Sequence, residues 1–218
     1  MALSFLLAGA CVGCGGEDVE RPVEADGGTD DPVRCLKPAS NYFTNFAEGS
    51  SYSDAVSVRS LTYAYPSGLT VTFGDTLRVT GTVSTFAGVG VSFGACVDAS
   101  EFSGVEFDVG GDVGPSGRVT FSATTRENSP EPPETETGTC EPVDPVEPYR
   151  SCQGAYTTFE VSEAPSRQTV RFSSFLGGTP HAGVNRAELL AFFLSLEWND
   201  GQPEFPLDLT VGDLSFVP

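Results

Sequence analysis

The sequence has few histidines and few basic residues. One His, His181, occurs among 218 residues, and Lys and Arg together number 11 against 30 Asp and Glu, which gives a formal charge of −19. Nucleophilic catalysis needs a positioned base, most often His, and nucleic-acid binding needs clustered Lys and Arg. His181 lies in a glycine-flanked segment that is typical of an exposed loop. The composition therefore argues against nucleic acid as a partner and against catalysis by a His base.

Several catalytic motifs and long apolar runs are also absent from the sequence. It contains no HExxH, P-loop or dinucleotide-binding fingerprint. No apolar run reaches the roughly 18–20 residues that span a bilayer. The sequence does not exclude a catalytic pair of carboxylates of the glycosidase type, because the distance between two acids is set by the fold. We expect a non-catalytic domain, with a cryptic glycoside-active hydrolase as one alternative.

The acidic residues are concentrated in two Pro-rich stretches. Residues 17–34 and 126–152 each hold seven acids and two Arg, and the rest of the chain is only moderately acidic. Residues 15–39 are polar, rich in Gly and Pro and without hydrophobic periodicity, which predicts a flexible, disordered acidic linker. The second stretch predicts a Pro/Glu-rich loop at residues 127–151.

A short apolar segment ends in small residues near the N-terminus. Residues 3–13 have the length of the apolar region of a signal peptide. Cys14, followed by two Gly and the polar linker, resembles the lipobox of bacterial lipoproteins, and Cys11 is the alternative. The resemblance implies cleavage before the Cys and acylation of its sulfur. We therefore expect residues 1–14 to direct export and lipid anchoring at the cell envelope, outer membrane or cell surface, with a secreted or periplasmic protein as the alternative.

Four cysteines follow the apolar segment. An even number in an exported chain favours two disulfides, for which three pairings exist. Cys140 and Cys152 close a short loop, so their pairing costs the least chain entropy, and Cys35 with Cys96 then follows by elimination. Zinc is a weaker alternative, because no CxxC occurs among these four and the chain has one His.

From residue 41 onward, apolar and polar residues alternate with the period of two that is typical of strands. With 25 Gly and 16 Pro to form turns, roughly nine such strands predict an all-β, two-sheet sandwich over residues 40–218. Residues 185–198 differ, since helix formers follow a candidate Asn185 cap, and we predict one helical turn that leads into a strand. The other predicted strands lie within residues 69–73, 77–83, 89–93, 105–109, 119–123, 156–161, 169–172 and 207–216.

Several of these segments resemble the galactose-binding-domain-like jelly rolls, which include several carbohydrate-binding modules and the complex I intermediate-associated-type domain. Residues 88–93 and 97–109 resemble a Gly-rich strand that leads into a D-x-S-x-[FY]-x-G-[IV]-x-[FI] motif. Residues 169–175 and 209–216 resemble two later strands, and residues 44–49 resemble the acidic opening of the domain. The resemblance implies a two-sheet jelly roll whose termini lie side by side.

The same resemblance implies a calcium site. Many members of the group hold a structural Ca²⁺ between the opening segment and the last strand. Carried over to this chain, the ligands are Glu48, Asp213 and Asn45, whose oxygen atoms suit calcium. Surface acids near adjacent termini are the alternative explanation for these residues.

Sugar-binding modules of this kind stack a pyranose ring on exposed aromatic side chains, with polar groups around it. Trp198, Tyr63 and Tyr65 are the candidates for this role in the sequence. A Trp at the end of an apolar strand is also typical of a core or rim residue, and that alternative stays open for Trp198.

These observations lead to one main functional hypothesis. We expect an exported, lipid-anchored, non-catalytic module that binds a polysaccharide or another glycan at the cell envelope and meets the membrane only through its lipid. An envelope structural or protein-interaction domain with the same fold and no sugar site is the alternative, because function depends on sites placed on a fold and not on the fold itself.

Lipid anchoring predicts how the full chain behaves in a detergent phase separation. Produced in a bacterium, the wild-type chain should enter the detergent phase, and Cys14→Ser should lose this property because no sulfur is left to acylate at that position. Cys11→Ser is the matched control and should still partition. If both single variants still partition into detergent, acylation of one specific Cys is excluded.

Overall fold

The computed structural model describes residues 35–38, 41, 44, 46, 60–65, 68–130, 138–143, 151–199 and 201–218, all within a compact unit that spans Val33–Pro218. None of these residues belongs to an α-helix. Accordingly, no helix in the described ranges is long and apolar enough to cross a membrane. The predicted signal segment, with Cys11 and Cys14, and most of the predicted linker lie outside these ranges.

The alternating segments form strands, as expected from their period. In Leu77–Val83, for example, Leu77, Val79 and Val83 are fully buried while the residues between them are exposed or half-buried. The described strands are β1 Ser60–Tyr65, β2 Thr70–Thr72, β3 Leu77–Val83, β4 Gly88–Val97, β5 Gly104–Asp112, β6 Arg118–Thr125, β7 Ala155–Glu160, β8 Ser166–Arg171, β9 Leu189–Leu196, β10 Phe205–Val211 and β11 Ser215–Val217.

These strands form two antiparallel sheets. The five-stranded sheet has the order β1-β4-β9-β6-β7, and the six-stranded sheet has the order β11-β5-β10-β3-β2, with β8 also paired to β5. Along the chain, the strands from β3 to β6 alternate between the two sheets, and the strands from β7 to β10 alternate in the same way. This arrangement confirms the predicted all-β jelly-roll sandwich.

Phenylalanine rings fill the space between the sheets. Phe107 of β5 lies 5.0 Å from Phe121 of β6, and Phe121 stacks on Phe192 of β9 at 5.4 Å. Phe192 in turn meets Phe216 of β11 at 6.4 Å. All four side chains are at most 1% exposed. The contacts from Phe107 to Phe121 and from Phe192 to Phe216 join one sheet to the other.

The segment predicted as a helical turn followed by a strand has that structure. The side chain of Asn185 accepts a hydrogen bond from the main-chain N–H of Ala187 (3.2 Å) and caps a single 3-10 turn, Arg186–Glu188. β9 begins at the next residue. Two further 3-10 turns, Arg126–Asn128 and Phe172–Ser174, follow β6 and β8.

The structure contains both predicted disulfides. Cys140 is bonded to Cys152, and Cys35 is bonded to Cys96. Next to Cys35, Leu36 exchanges main-chain hydrogen bonds with Cys96 and Asp98, each of 2.9 Å. The last residues of the predicted linker are therefore attached to the end of β4, and the attachment combines a covalent bond with a short parallel bridge.

Candidate functional site

Strand register places a row of residues across the outer face of the five-stranded sheet. Phe193 of β9 pairs with Gly90 of β4 on one side and with Ser122 of β6 on the other. Ser122 pairs in turn with Tyr156 of β7. Directly opposed residues share a face of a sheet, and their neighbours along each strand, such as Phe192, are buried in the core. We call the line through Gly90, Phe193, Ser122 and Tyr156 the central row.

A second row lies beside the central row on the same face. Gly88 pairs with Ser195, Ser195 with Thr120, and Thr120 with Thr158. Neither row contains a charged residue, although the chain as a whole is strongly acidic. Charge on this face begins at the position beyond the second row, where Arg118 of β6 pairs with Glu160 in register.

The rings of the central row differ in exposure. Tyr156 is 47% exposed at the edge of the sheet, whereas Phe193, on the middle strand, is half-buried. Between and beside them stand hydroxyl side chains on β6, β7 and β9. The face therefore combines aromatic rings with hydrogen-bonding groups that carry no charge.

Two sequence candidates, Tyr63 and Tyr65, lie on the neighbouring strand β1. Their side chains are outside what the structure describes, but their backbone pairing with β4 is defined. Tyr63 pairs with Gly90, and Tyr65 pairs with Gly88. The register therefore extends the central row to Tyr63 and the second row to Tyr65.

The third sequence candidate, Trp198, lies elsewhere. It follows the end of β9, is half-buried, and packs against the hydrophobic core. Its ring lies 6.1 Å from the buried ring of Phe205 at an angle of 29°. This is the rim position that the sequence left as the alternative for Trp198.

The sequence did not identify Tyr156 or Phe193 as site residues. Phe193 lies within a continuous apolar run in β9, where the sequence does not show which side chains face inward. Tyr156 follows the buried Ala155 in β7. Because successive side chains in a strand point to opposite faces, this order indicates that Tyr156 points outward. Its alignment with Phe193 depends on pairing between strands that are far apart in the sequence, so the local sequence pattern does not predict it.

The outer face of the six-stranded sheet has a different character. Arg78 of β3 donates two hydrogen bonds to the Asp208 carboxylate (2.7 and 2.6 Å), and Arg167 of β8 donates two to Asp108 (2.9 and 3.0 Å). Glu106 lies 3.5 Å from Arg167. These charges neutralise one another on an exposed surface, where such pairs contribute little to stability.

The ion pairs also change the acidity of the two aspartates. Hydrogen bonds from Arg167, opposed by partial desolvation, hold the pKa of Asp108 below its ordinary value. The hydrogen bonds from Arg78 lower the pKa of Asp208 in the same way. Both carboxylates are therefore charged at neutral pH and already have cationic partners.

Asp213, a predicted calcium ligand, lies next to the opening segment of the domain. Its Oδ1 atom accepts hydrogen bonds from the Thr44 hydroxyl (3.1 Å) and from the main-chain N–H of Phe46 (2.9 Å). The Thr44 oxygen accepts in turn from the N–H of Leu214 (2.7 Å). The implied meeting of the opening segment with the last strands is therefore present, and Asp213 holds it together.

The other two predicted calcium ligands, Asn45 and Glu48, lie outside the described residues. Within the described ranges, no three His, Cys, Asp or Glu side chains converge on a common point. Calcium binds six to eight oxygen atoms, and Asp213 supplies one carboxylate. Calcium therefore stays a prediction that depends on Asn45 and Glu48.

His181 lies in an exposed loop, as expected. Its main-chain oxygen accepts a hydrogen bond from the Asn128 amide (2.9 Å), and its N–H donates to the same side chain (3.2 Å). These bonds engage the backbone of His181 and not its ring.

Comparison with known proteins identifies similar folds. No family model matches the sequence, and no curated protein matches it. Among solved structures, the chain is similar to the family 11 carbohydrate-binding module of a cellulosomal cellulase of Clostridium thermocellum, with 13% identity over 72% of this chain and 86% of that chain and a TM-score of 0.48. It is also similar to an exo-β-agarase, with 8% identity over 82% of this chain and 25% of that chain and a TM-score of 0.48.

A third similar structure is the glycoside hydrolase domain of Endo-D from Streptococcus pneumoniae. Its identity is 12% over 75% of this chain and 23% of that chain, with a TM-score of 0.40.

The contacts of Asp213 predict the effect of its removal. Asp213→Ala should lower the free energy of unfolding by about 2 kcal/mol, because the N–H of the buried Phe46 and the hydroxyl of the buried Thr44 lose their acceptor. Urea unfolding of the full chain measures this change. Asp112→Ala is the matched control, since Asp112 accepts one main-chain N–H at an exposed position, and it should change the free energy by roughly 0.5 kcal/mol or less.

The same pair of variants tests calcium. If Ca²⁺ binds at Asp213, adding it should raise the Tm of the wild type and of Asp112→Ala, but not that of Asp213→Ala. An unchanged wild-type Tm contradicts the calcium prediction, and an unchanged stability of Asp213→Ala contradicts the structural role of the carboxylate.

Proposed function

We propose that the protein is a non-catalytic carbohydrate-binding module whose sugar site is the outer face of the five-stranded sheet. The observation that carries the proposal is the central row, in which aromatic positions alternate with small residues. From β1 to β7 the order is Tyr63, Gly90, Phe193, Ser122 and Tyr156. Sugars bind through stacking of their apolar face on rings and through hydrogen bonds of their hydroxyls.

The spacing of the row suits a chain of sugars. Adjacent strands lie about 4.8 Å apart, so aromatic positions on every second strand are about 10 Å apart. This distance is similar to the length of two linked pyranose rings. A glycan laid across the strands would therefore cross the register positions of Tyr63, Phe193 and Tyr156 at every second sugar, with the small residues between them.

The chemistry of the face favours a neutral glycan. Ser195, Thr120 and Thr158 in the second row supply hydroxyl groups next to the rings. Both rows lack charge, so a sugar bound there would not have to displace an ion pair. The outer face of the six-stranded sheet, with its paired Arg and Asp side chains, suits sugar stacking less well.

We also propose that the domain is exported and anchored through a lipid on Cys14. Two disulfides join cysteines of the folded domain, and disulfides persist mainly in oxidising compartments outside the cytoplasm. The fold and the disulfides fit an exported domain. The lipid and the signal segment rest on the sequence resemblance and on the partitioning experiment.

A structural Ca²⁺ held by Asp213, Asn45 and Glu48 is part of the proposal. It is supported by the position of Asp213 against residues 44 and 46, on either side of Asn45. When bound, the ion would supply charge compensation and fix the opening segment to the last strands. It would take no part in sugar recognition on the five-stranded sheet.

A protein-interaction domain without a sugar site is the second candidate. Leu176 is 68% exposed and pairs through its main chain with Tyr156 by hydrogen bonds of 2.7 and 2.8 Å. An exposed Leu beside an exposed Tyr at a sheet edge also suits a protein partner. In that case, Tyr156 would be needed for a protein contact and no polysaccharide would bind.

Glycan binding by the full chain tests the two candidates. We expect binding to at least one neutral polysaccharide in a glycan array, and Tyr156→Ala should weaken it about fivefold to tenfold through loss of one stacking ring. Phe86→Ala is the matched control, because Phe86 is 70% exposed in the loop between β3 and β4 and belongs to neither row. It should bind like the wild type.

Two outcomes speak against the sugar site. Absence of binding to every polysaccharide would leave the interaction domain as the better explanation. An equal loss of binding in Phe86→Ala and Tyr156→Ala would show that binding does not depend specifically on the central row.

A further inference from the structure

A pocket opens at the end of the sandwich where β5 begins and β8 ends. Gly104, the first residue of β5, pairs with Arg171, the last residue of β8, and the N–H of Phe172 donates to the Ser103 carbonyl (2.9 Å). The pocket has a volume of about 390 Å³. Its lining residues, which together we call the arginine pocket, are Ser103, Arg171, Phe172, Ser173, Val184 and Arg186.

The charge of the arginine pocket is unusual for this protein. Arg171 and Arg186 both line it, and neither forms an ion pair with a carboxylate within the described part of the chain. Four other basic residues do form such pairs: Lys37 with Glu101, Arg78 with Asp208, Arg118 with Glu197, and Arg167 with Asp108. In a chain with a formal charge of −19, two cations therefore share one pocket without a described counterion.

One of the two arginines is held in place by the fold. The Nη1 atom of Arg186 donates a hydrogen bond to the Phe102 carbonyl (2.8 Å). The main-chain carbonyl of Arg186 accepts a hydrogen bond from the N–H of Ala99 (2.7 Å). A guanidinium has five N–H donors, so donors are left for a ligand. Glu188, two residues along the same turn, takes part in none of the described ion pairs.

The rest of the lining suits an organic ligand. The half-buried Val184 supplies apolar surface, with a smaller contribution from Phe172, which is 6% exposed, and Ser173 supplies a hydroxyl. The Ser103 hydroxyl donates to the main-chain oxygen of Pro218 (2.8 Å), so we do not count it as a ligand donor. Pockets that bind small molecules are usually about 300–1,000 Å³ in volume, and the arginine pocket has room for one sugar unit.

We propose that the arginine pocket binds the carboxylate of an acidic sugar, a uronate unit, at a site separate from the central row. The sugar part of this inference rests on the proposed function. The planar fork of a guanidinium matches a carboxylate through two parallel hydrogen bonds. The apolar wall faces the ring carbons of the sugar, and an acidic protein attracts anions poorly elsewhere on its surface.

A titration of the full chain with sodium glucuronate, followed by NMR at constant ionic strength, tests the site. Glucose serves as the neutral ligand and sodium acetate as the free carboxylate. We expect glucuronate to bind with a Kd on the order of 1 mM, because both guanidinium groups are exposed to solvent. Glucose and acetate should each bind at least about tenfold more weakly, since each lacks one half of the recognition.

Arg171→Gln is the decisive variant. No described hydrogen bond uses the Arg171 guanidinium, so its loss should leave the fold intact while glucuronate binding weakens about tenfold. Arg78→Gln is the matched control, since it makes the same charge change on the outer face of the six-stranded sheet, and it should bind glucuronate like the wild type.

The outcomes separate this inference from the proposed function. Unchanged glucuronate binding in Arg171→Gln, or acetate binding as tight as that of glucuronate, overturns the assignment of the pocket to an acidic sugar. Glucuronate binding that depends on Arg171, without binding of any neutral polysaccharide, supports the pocket and overturns the sugar site on the sheet. Binding of neutral polysaccharide without glucuronate overturns the pocket alone.

Discussion

Four phenylalanine rings packed between the two sheets hold the fold in register. Phe107, Phe121, Phe192 and Phe216 touch in sequence and are at most 1% exposed. Replacement of one such ring by Ala typically costs about 3–5 kcal/mol, a large part of the roughly 5–15 kcal/mol that stabilises a domain. A slip of one residue would turn every ring toward solvent. The inward rings therefore also fix which residues face outward.

The candidate sugar site follows from this constraint. Because Phe192 and Phe121 point into the core, Phe193 and Ser122 must point away from it, and strand pairing then aligns them with Gly90 and Tyr156. The residues of the site are contributed by strands far apart in sequence. Polar contacts attach the remaining parts to this frame, as the Asp213 carboxylate does for the opening segment.

Local patterns predicted much of the fold. Period-two alternation identified most strands, the loop between Cys140 and Cys152 was short enough to favour their pairing, and Asn185 caps the expected turn. The sequence did not reveal which residues of the apolar run in β9 face outward, because both faces of that run are apolar. It also did not reveal the alignment of Phe193 with Tyr156 or the meeting of two arginines in one pocket, since long-range pairing creates both.

The central claim is that a neutral glycan lies across the five-stranded sheet. Amide chemical shifts of the full chain, recorded with and without a neutral oligosaccharide of a polysaccharide that binds, test it most directly. The account predicts that the largest changes fall on β6, β7 and β9 around Ser122, Tyr156 and Phe193. Changes confined to the outer face of the six-stranded sheet, around Arg78 and Asp208, would contradict it.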